Sequence, residues 1–345
     1  PSRKFKSDYS GETFKTERQV FYPSTFFITH KFNDKISAGL GVFNPFGLGT
    51  KWPDDWEGRY IATNSEMQTF NFNPVVSYQI TPNVAFAAGV DFLILDATLE
   101  KKLNLPVLYG FTRDGGQKFK GDGTGIGYNF GILIEPHRDV SLGASYRSEI
   151  KVKIDGNVTH VLPEGDPLGL FPNTNGKTTL TLPQQVHVGV YYKGLYPLTF
   201  EVGLRWEGWH SYDELRIDLD RSVAGSNTSI TEKDWKDTYS ANIGVKYQLT
   251  ESVALLAGYL YGGNPIPDRT FEPSIPDANT HLFTIGTDIK YKQLRFDLAY
   301  AYQKFQTRSK NNAITDPVSG LPAFRANGVY KSDIHMFGVS LTYTF

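Results

Sequence analysis

The chain has 345 residues, with 35 Lys and Arg against 36 Asp and Glu, no Cys and 2 Met. Disulfide frameworks, thiol chemistry and a basic nucleic-acid surface are thereby excluded. Aromatics are abundant, with 24 Phe, 20 Tyr and 5 Trp, yet no uninterrupted apolar run approaches the ~18 residues of a spanning helix. No linker or composition shift divides the sequence, which predicts one domain over 1–345.

Residues 1–5 read as the tail of a first strand. Further strands follow at 20–32, 36–43, 67–78, 84–98, 126–134, 140–150, 183–192, 198–209, 239–247, 253–261, 282–291, 294–305 and 337–345. Side chains alternate faces along a strand, and here one face is apolar while the other is small or charged. Leu198, Phe200, Val202, Leu204 and Trp206 share one side, with Thr199, Glu201, Gly203, Arg205 and Glu207 on the other. The last strand repeats the pattern in Phe337, Val339, Leu341, Tyr343 and Phe345. Apolar-out, polar-in alternation with aromatics near the strand ends is the signature of an all-β transmembrane antiparallel β-barrel, here of about 14 strands. Arg147, Glu149, Glu201, Arg205, Glu207, Asp288, Arg295 and Asp297 fall on the predicted inner face, where mutual pairing in a wet lumen is expected.

Connections alternate in length. Short turns of Asn, Asp, Ser, Pro and Gly chemistry are read at 33–35, 81–83, 136–139, 193–197, 250–252 and 292–293. Long segments are read at 6–19, 44–66, 99–125, 151–182, 210–238, 262–281 and 306–334. Long loops outside and short turns in the periplasm place the protein in a bacterial outer membrane with its C-terminus periplasmic. The chain starts at Pro1 with no signal segment, which for an exported protein implies processing, trimming or a sequence that lacks its N-terminal part.

Several segments resemble the FadL family of outer-membrane transporters for long-chain fatty acids and aromatic hydrocarbons. They are Asn44-Pro45-Phe46-Gly47-Leu48-Gly49-Thr50 with Trp56-Glu57-Gly58-Arg59-Tyr60, Tyr146-Arg147-Ser148-Glu149 with Gly156-Asn157, Leu180-Thr181-Leu182-Pro183, and Gly263-Asn264-Pro265-Ile266-Pro267-Asp268 followed by Ile275-Pro276-Asp277. They occur in order from about residue 20 to the end. The resemblance implies a fourteen-stranded barrel closed by an N-terminal hatch, and the hatch has no counterpart in this chain. It implies transport of hydrophobic molecules, long-chain fatty acids foremost, by passive diffusion with lateral release. Uptake of aromatic or other uncharged hydrocarbons by the same route is the alternative, and a general diffusion porin is a weaker one. The expected partners are a hydrophobic small molecule and outer-membrane lipid, with the barrel a monomer.

Pro within a strand removes a ladder donor and is tolerated only at edges or bulges. Asn44, Pro45, Phe46 and Gly47 should therefore kink the strand begun at 36, or simply end it. The resemblance implies that a kink here opens the wall sideways. The loops at 99–125 and 151–182 are greasy, through Leu103, Leu105, Leu108 and Phe111 in the first and Leu162, Leu168 and Phe171 in the second. They could form a groove that captures an apolar molecule, or pack on one another as a cap. By resemblance Lys101 occupies a position where fatty-acid transporters carry Arg, and Lys233, two residues from the family's second basic position, would supply the other cation for a carboxylate.

Catalysis finds little support. His30, His137, His160, His187, His210, His281 and His335 show no metal-ligand spacing, and no Ser has a nucleophile context, so no enzyme activity, metal or cofactor is expected. A barrel lipase would need a His and a Ser together near the rim, and no such pair is evident; an adhesin or structural barrel is the remaining competitor. Gly121-Asp122-Gly123-Thr124-Gly125-Ile126-Gly127 leads into a strand rather than a phosphate-binding helix, and is read as a flexible loop end.

Overall fold

The computed structural model describes residues 1–315 and 324–345. In it 21 strands join in one sheet. They are β1 (Ser2–Ser7), β2 (Thr13–Lys15), β3 (Phe26–Lys31), β4 (Ile36–Phe43), β5 (Gly47–Lys51), β6 (Asn64–Thr81), β7 (Val84–Leu103), β8 (Gly115–His137), β9 (Val140–Arg147), β10 (Ile150–Val161) and β11 (Thr174–Leu182). Then come β12 (Gln185–Leu195), β13 (Leu198–Glu207), β14 (Glu214–Val223), β15 (Ser226–Glu232), β16 (Thr238–Gln248), β17 (Val253–Gly262), β18 (Thr280–Tyr291), β19 (Leu294–Phe305), β20 (Arg308–Lys310) and β21 (Gly328–Tyr343). Among the described residues no helix is long and apolar enough to cross a membrane, which leaves the crossing to strands.

Antiparallel ladders run unbroken through β3, β4, β6, β7, β8, β9, β12, β13, β16, β17, β18, β19 and β21. The six predicted short turns each close a hairpin at one end of this wall, and β21 descends toward that same end. The outward set is as the alternation requires: Val202, Leu204, Phe296, Leu298 and Leu341 are exposed, and Val339 is 79% exposed. In water such a belt would be an aggregation surface; in lipid it is the solvent-facing side.

The lumenal face is small and polar, and several of its charges are paired. Asp91 is fully buried and accepts from Asn71 Nδ2 at 2.6 Å, Asn129 Nδ2 at 2.8 Å and Arg147 Nε at 3.3 Å. Asp288 meets Lys246 Nζ at 2.8 Å and Arg295 Nε at 3.1 Å, and Glu207 meets Arg205 at 3.2 Å. Glu149 departs from the expected inner row: it is exposed at the β9–β10 junction, 3.8 Å from Lys151.

Above the membrane the wall continues, so several predicted loops are strand. β8 has 23 residues, roughly 75 Å at about 3.3 Å per residue, against a hydrocarbon core about 30 Å thick. Segments 151–182 and 210–238 are largely the hairpins β10–β11 and β14–β15, stacked on β8 through the β8–β10 and β11–β14 ladders. The physical reason is that the alternation changes sign. In β10 Ile150, Val152 and Ile154 are buried while Lys151, Lys153 and Asp155 are exposed, the reverse of a lipid-facing strand. Conversely, of the predicted strand 20–32 only 26–31 pairs.

The glycine run at 121–127 is likewise not a loop end. Gly121 and Gly123 are laddered to β7 on one side and β10 on the other. A Cβ on Gly123 would stand 2.2 Å from Lys153 O, and one on Gly125 2.5 Å from Ile150 Cγ2. Glycine here lets the apolar face of β10 lie across β8, building the core of Leu93, Leu95, Phe119, Ile150, Val152, Ile154, Val158, Leu182 and Ile217.

Candidate functional site

That core is one wall of a cavity of about 1280 Å³ in the upper lumen. Its apolar lining includes Phe46, Leu48, Met67, Leu99, Phe119, Ile154, Leu180, Leu182, Trp209, Leu215, Ile217 and Trp235, with Arg3, Lys101, Lys233, Arg269, Glu272 and Asp277 among its charges. Phe5, Trp52, Trp56, Tyr212, Trp235, Ile266, Phe271 and Tyr330 form an aromatic cluster beside it. Trp52 stacks on Trp56 at 4.5 Å, and their indole N–H groups donate to Pro273 O at 3.0 Å and Ala62 O at 2.9 Å. The segment from Trp56 to Tyr60 is thus a clamp: Arg59 Nε and Tyr60 Oη both donate to Asp114, at 2.7 and 2.8 Å.

The strand break occurs where proline chemistry places it. Phe43 of β4 pairs with Asn71 of β6, and pairing resumes at Gly47 with Gln68. Three residues, 44–46, therefore oppose two, 69 and 70, which is a β-bulge. Buried Thr69 takes over from the ladder: Phe46 N donates to its Oγ1 at 3.1 Å, Oγ1 donates to Phe46 O at 2.5 Å, and Asn44 Nδ2 donates to Thr69 O. Phe46 turns into the lumen, edge-on to Trp209 at 5.8 Å.

On the opposite edge the wall parts. The β3–β4 ladder ends at Phe26 with Val42. Among the described residues hydrogen bonding across this edge resumes where Arg3 donates to Gly49 O at 2.9 Å and Glu17 N to Lys51 O at 2.8 Å. Among the described residues no backbone bond joins 43–48 to the segment 20–25. Phe21 lies over Gly49, whose Cβ would fall 2.0 Å from the ring, and Val20 and Tyr22 beside it are exposed. Phe46 and Leu48 on the inside and Val20, Phe21 and Tyr22 on the outside thus make both lips of the parting apolar.

The predicted site residues divide into two groups. Lys101 lies on the inward side of β7 in the cavity lining. Lys233 also lines it but is ion-paired to Glu272, which accepts from Ser274 Oγ at 2.6 Å as well. Burial alone would lower the Lys233 ammonium, yet Glu272 and Tyr212 outweigh it and hold it above its ordinary value. The greasy residues lie elsewhere. Leu103, Leu105 and Phe171 are buried in their own cluster, with Leu108, Phe111 and Leu162 packed against it, while Leu168 is exposed on top. Leu103 ends β7, and Leu105–Tyr109 form a short helix, α1, which begins on Pro106 and ends at left-handed Gly110.

Arg3 was not singled out by the sequence, though it shares the inner face of β1 with buried Phe5. Burial lowers its guanidinium to about 10, so it remains a cation at neutral pH, and its Nε has no partner among the described residues. Asp277, whose charge it feels, is pushed up to about 6 by burial. A carboxyl raised from 3.8 to about 6 contributes stability that is complete below about pH 4 and lost as pH rises through 6. Asp277→Asn should therefore match the wild type in thermal midpoint near pH 4 and exceed it increasingly from pH 5 to 7; a constant difference would remove Asp277 as the titrating group.

A β-barrel with a lipid-facing apolar belt, an apolar chamber above a polar lumen and a parted wall is an outer-membrane transport barrel. The chain belongs to the family described as outer membrane protein transport protein (OMPP1/FadL/TodX), whose model matches residues 2–345. It is 24% identical over 318 residues to a long-chain fatty acid transport protein of Escherichia coli O6:H1, covering 83% of this chain and 70% of that protein. Against the protein of the same description from Salmonella typhi the identity is 23%, over 94% of this chain and 77% of that one. Among solved structures, a Pseudomonas aeruginosa FadL homologue superposes with a TM-score of 0.86 at 21% identity, covering 99% of this chain and 87% of the other. The Pseudomonas putida toluene transporter TodX gives 0.74 at 17%, with coverage of 99% and 87%.

Proposed function

We propose that this barrel moves long-chain fatty acids across the outer membrane by diffusion, through the apolar cavity and out sideways between Phe43 and Leu48. The observation that carries the reading is the continuity of apolar surface from the cavity, through Phe46 and Leu48, to Val20, Phe21 and Tyr22 on the lipid side. Backbone without a ladder at membrane depth is tolerated where protein or a cavity lines it, and the bulge and Thr69 supply that lining. Exposed Val107, Val161 and Leu168, standing on the closed cluster, form the first apolar landing surface. The barrel works as a monomeric single domain with β1 as its fourteenth wall strand, the short turns and Phe345 in the periplasm, and annular lipid around the belt. Its role is transport, without catalysis or cofactor.

Lys101 receives the carboxylate. Lys233 is neutralised by Glu272, so it steadies the mouth rather than binding substrate. Lys101→Ala should weaken binding of a long-chain fatty acid about 10- to 100-fold, the equivalent of one charge-assisted hydrogen bond. An alkane of the same length should bind unchanged. Equal loss for both would end the carboxylate role and favour uncharged hydrocarbons, the reading to which Phe46, Phe119, Trp209 and Trp235 in the lining also lend themselves.

A further inference from the structure

The outer face of the upper wall carries a row of cations that transport through the lumen does not use. Along β1, Arg3 and Phe5 face inward, so Lys4 faces out. The ladders set Lys4 directly opposite Lys15 of β2 on one side and Lys331 of β21 on the other. All three are exposed. Directly opposed residues on one face of a sheet lie about 5 Å apart, and like charges in that relation destabilise it. Lys6, the next outward residue of β1, and Lys304 of β19 are exposed on the same side.

Among the described residues no ion pair neutralises this row. None of the five lysines forms one there: Asp333, which stands opposite Lys304 in the ladder, lies 3.8 Å from His335, and Glu17 is paired at 2.6 Å with Lys51, which leaves Lys4, Lys15 and Lys331 as the centre of the row. Solvation alone would be served by lysines anywhere on the rim. Three aligned across three adjacent strands present a single concentrated positive charge.

Height on the barrel identifies what meets it. The apolar band of such a barrel is about 25 Å tall, and a tilted strand crosses it in about 9–11 residues. Counted from Tyr343, the outward residues of β21 leave the band near Asp333 and His335, and the next one beyond is Lys331. Counted independently from Leu294, β19 leaves it just above Tyr302, and its next outward residue is Lys304. The aromatic girdle marks the same level: Tyr300 Oη lies 2.8 Å from His335 Nδ1, and the Tyr302 ring 5.1 Å from the His335 ring. The lysines therefore sit at headgroup height, beside lipid.

We propose that Lys15, Lys4 and Lys331, widened by Lys6 and Lys304, bind the phosphate groups of a phosphorylated lipid headgroup in the outer leaflet. A lipid phosphate at this height relieves the like-charge opposition, while its acyl chains lie against Tyr300, Phe337 and Val339. The bound lipid also stands next to the parted wall, because β2 leads through Glu17 directly to Lys51 of β5.

The test uses the purified protein in uncharged detergent, with lipid A as the phosphorylated probe. The Lys4→Gln, Lys15→Gln, Lys331→Gln triple variant should bind lipid A about 100-fold more weakly than the wild type, at the usual gain for each basic residue near an anionic surface. Without lipid the variant should melt at or above the wild-type midpoint, since the opposed charges are gone. With lipid A the order should reverse. Inorganic phosphate at matched phosphate concentration should leave both midpoints unchanged. Should the triple variant fold poorly, Lys331→Gln alone, expected to bind about fivefold more weakly, decides the matter. Undiminished lipid A binding by the folded variant, or an equal rise with inorganic phosphate, would overturn the proposal.

Discussion

Deleting Pro45 together with Asn44→Val should close the wall and reduce uptake to the level of cells lacking the protein. The register explains why one deletion suffices. Phe43 pairs with Asn71 and Gly47 with Gln68, so removing one of the three bulged residues leaves two opposite two and permits a continuous ladder. Alternation survives the change: Phe43, Phe46 and Leu48 all stay inward, so the chamber lining is preserved and only the parting is lost. A straight β4–β5 strand would also offer free N–H and C=O groups to segment 20–25, which now has no ladder partner on that side. Folding should be intact or improved, because two buried polar groups now dependent on Thr69 regain backbone partners. Pro45→Ala, which keeps the bulge but restores one donor, should retain most uptake. Full uptake by the deletion variant, with its ladder verified by amide exchange at 43–48, would refute lateral release.

The lipid-facing part of this barrel was legible because its alternation keeps one sign over many strands. From β16 to β19 the predicted and observed bounds differ by a residue or two. Where the sign reversed, the reading failed. Ile150, Val152 and Ile154 look like a strand only if apolar side chains are allowed to face inward, which is the rule above the membrane but not within it. The glycines from 121 to 127 misled for a related reason, since local composition suggests flexibility while the need for Gly at 123 comes from Lys153, thirty residues away. The bulge was legible in Pro45, but its stabilisation by Thr69 was not, because a threonine in a strand carries no mark of what its hydroxyl meets. The site divided in the same way. Lys101 rests on resemblance alone, in a stretch that reads as loop, and lies on the inward side of β7, whereas the neutralisation of Lys233 depends on Glu272, 39 residues on in a different connection. Leu103, Leu105 and Phe171 are expected from their greasy loops either to line a groove or to pack as a cap, and they lie buried against each other rather than turned toward the cavity.

Leu204→Arg should lower the unfolding free energy of the barrel in bilayers by about 2–4 kcal/mol, the cost of a guanidinium on the lipid face near mid-membrane. Leu204 pairs with Val188 on one side and Ala241 on the other, so no carboxylate stands beside it on that face to offset the charge. It lies in the middle of β13, whose outward neighbours Val202 and Trp206 leave a long path for an arginine to reach either headgroup layer. Glu201→Arg provides the comparison. It is three residues away in the same strand, but exposed to the lumen, where water solvates either charge, and its cost should be within about 0.5 kcal/mol. The two substitutions create the same side chain at nearly the same depth, so the difference between them measures which face of β13 meets lipid. Equal destabilisation would mean that both faces are packed or both are wet, and an apolar-out barrel would no longer describe the chain.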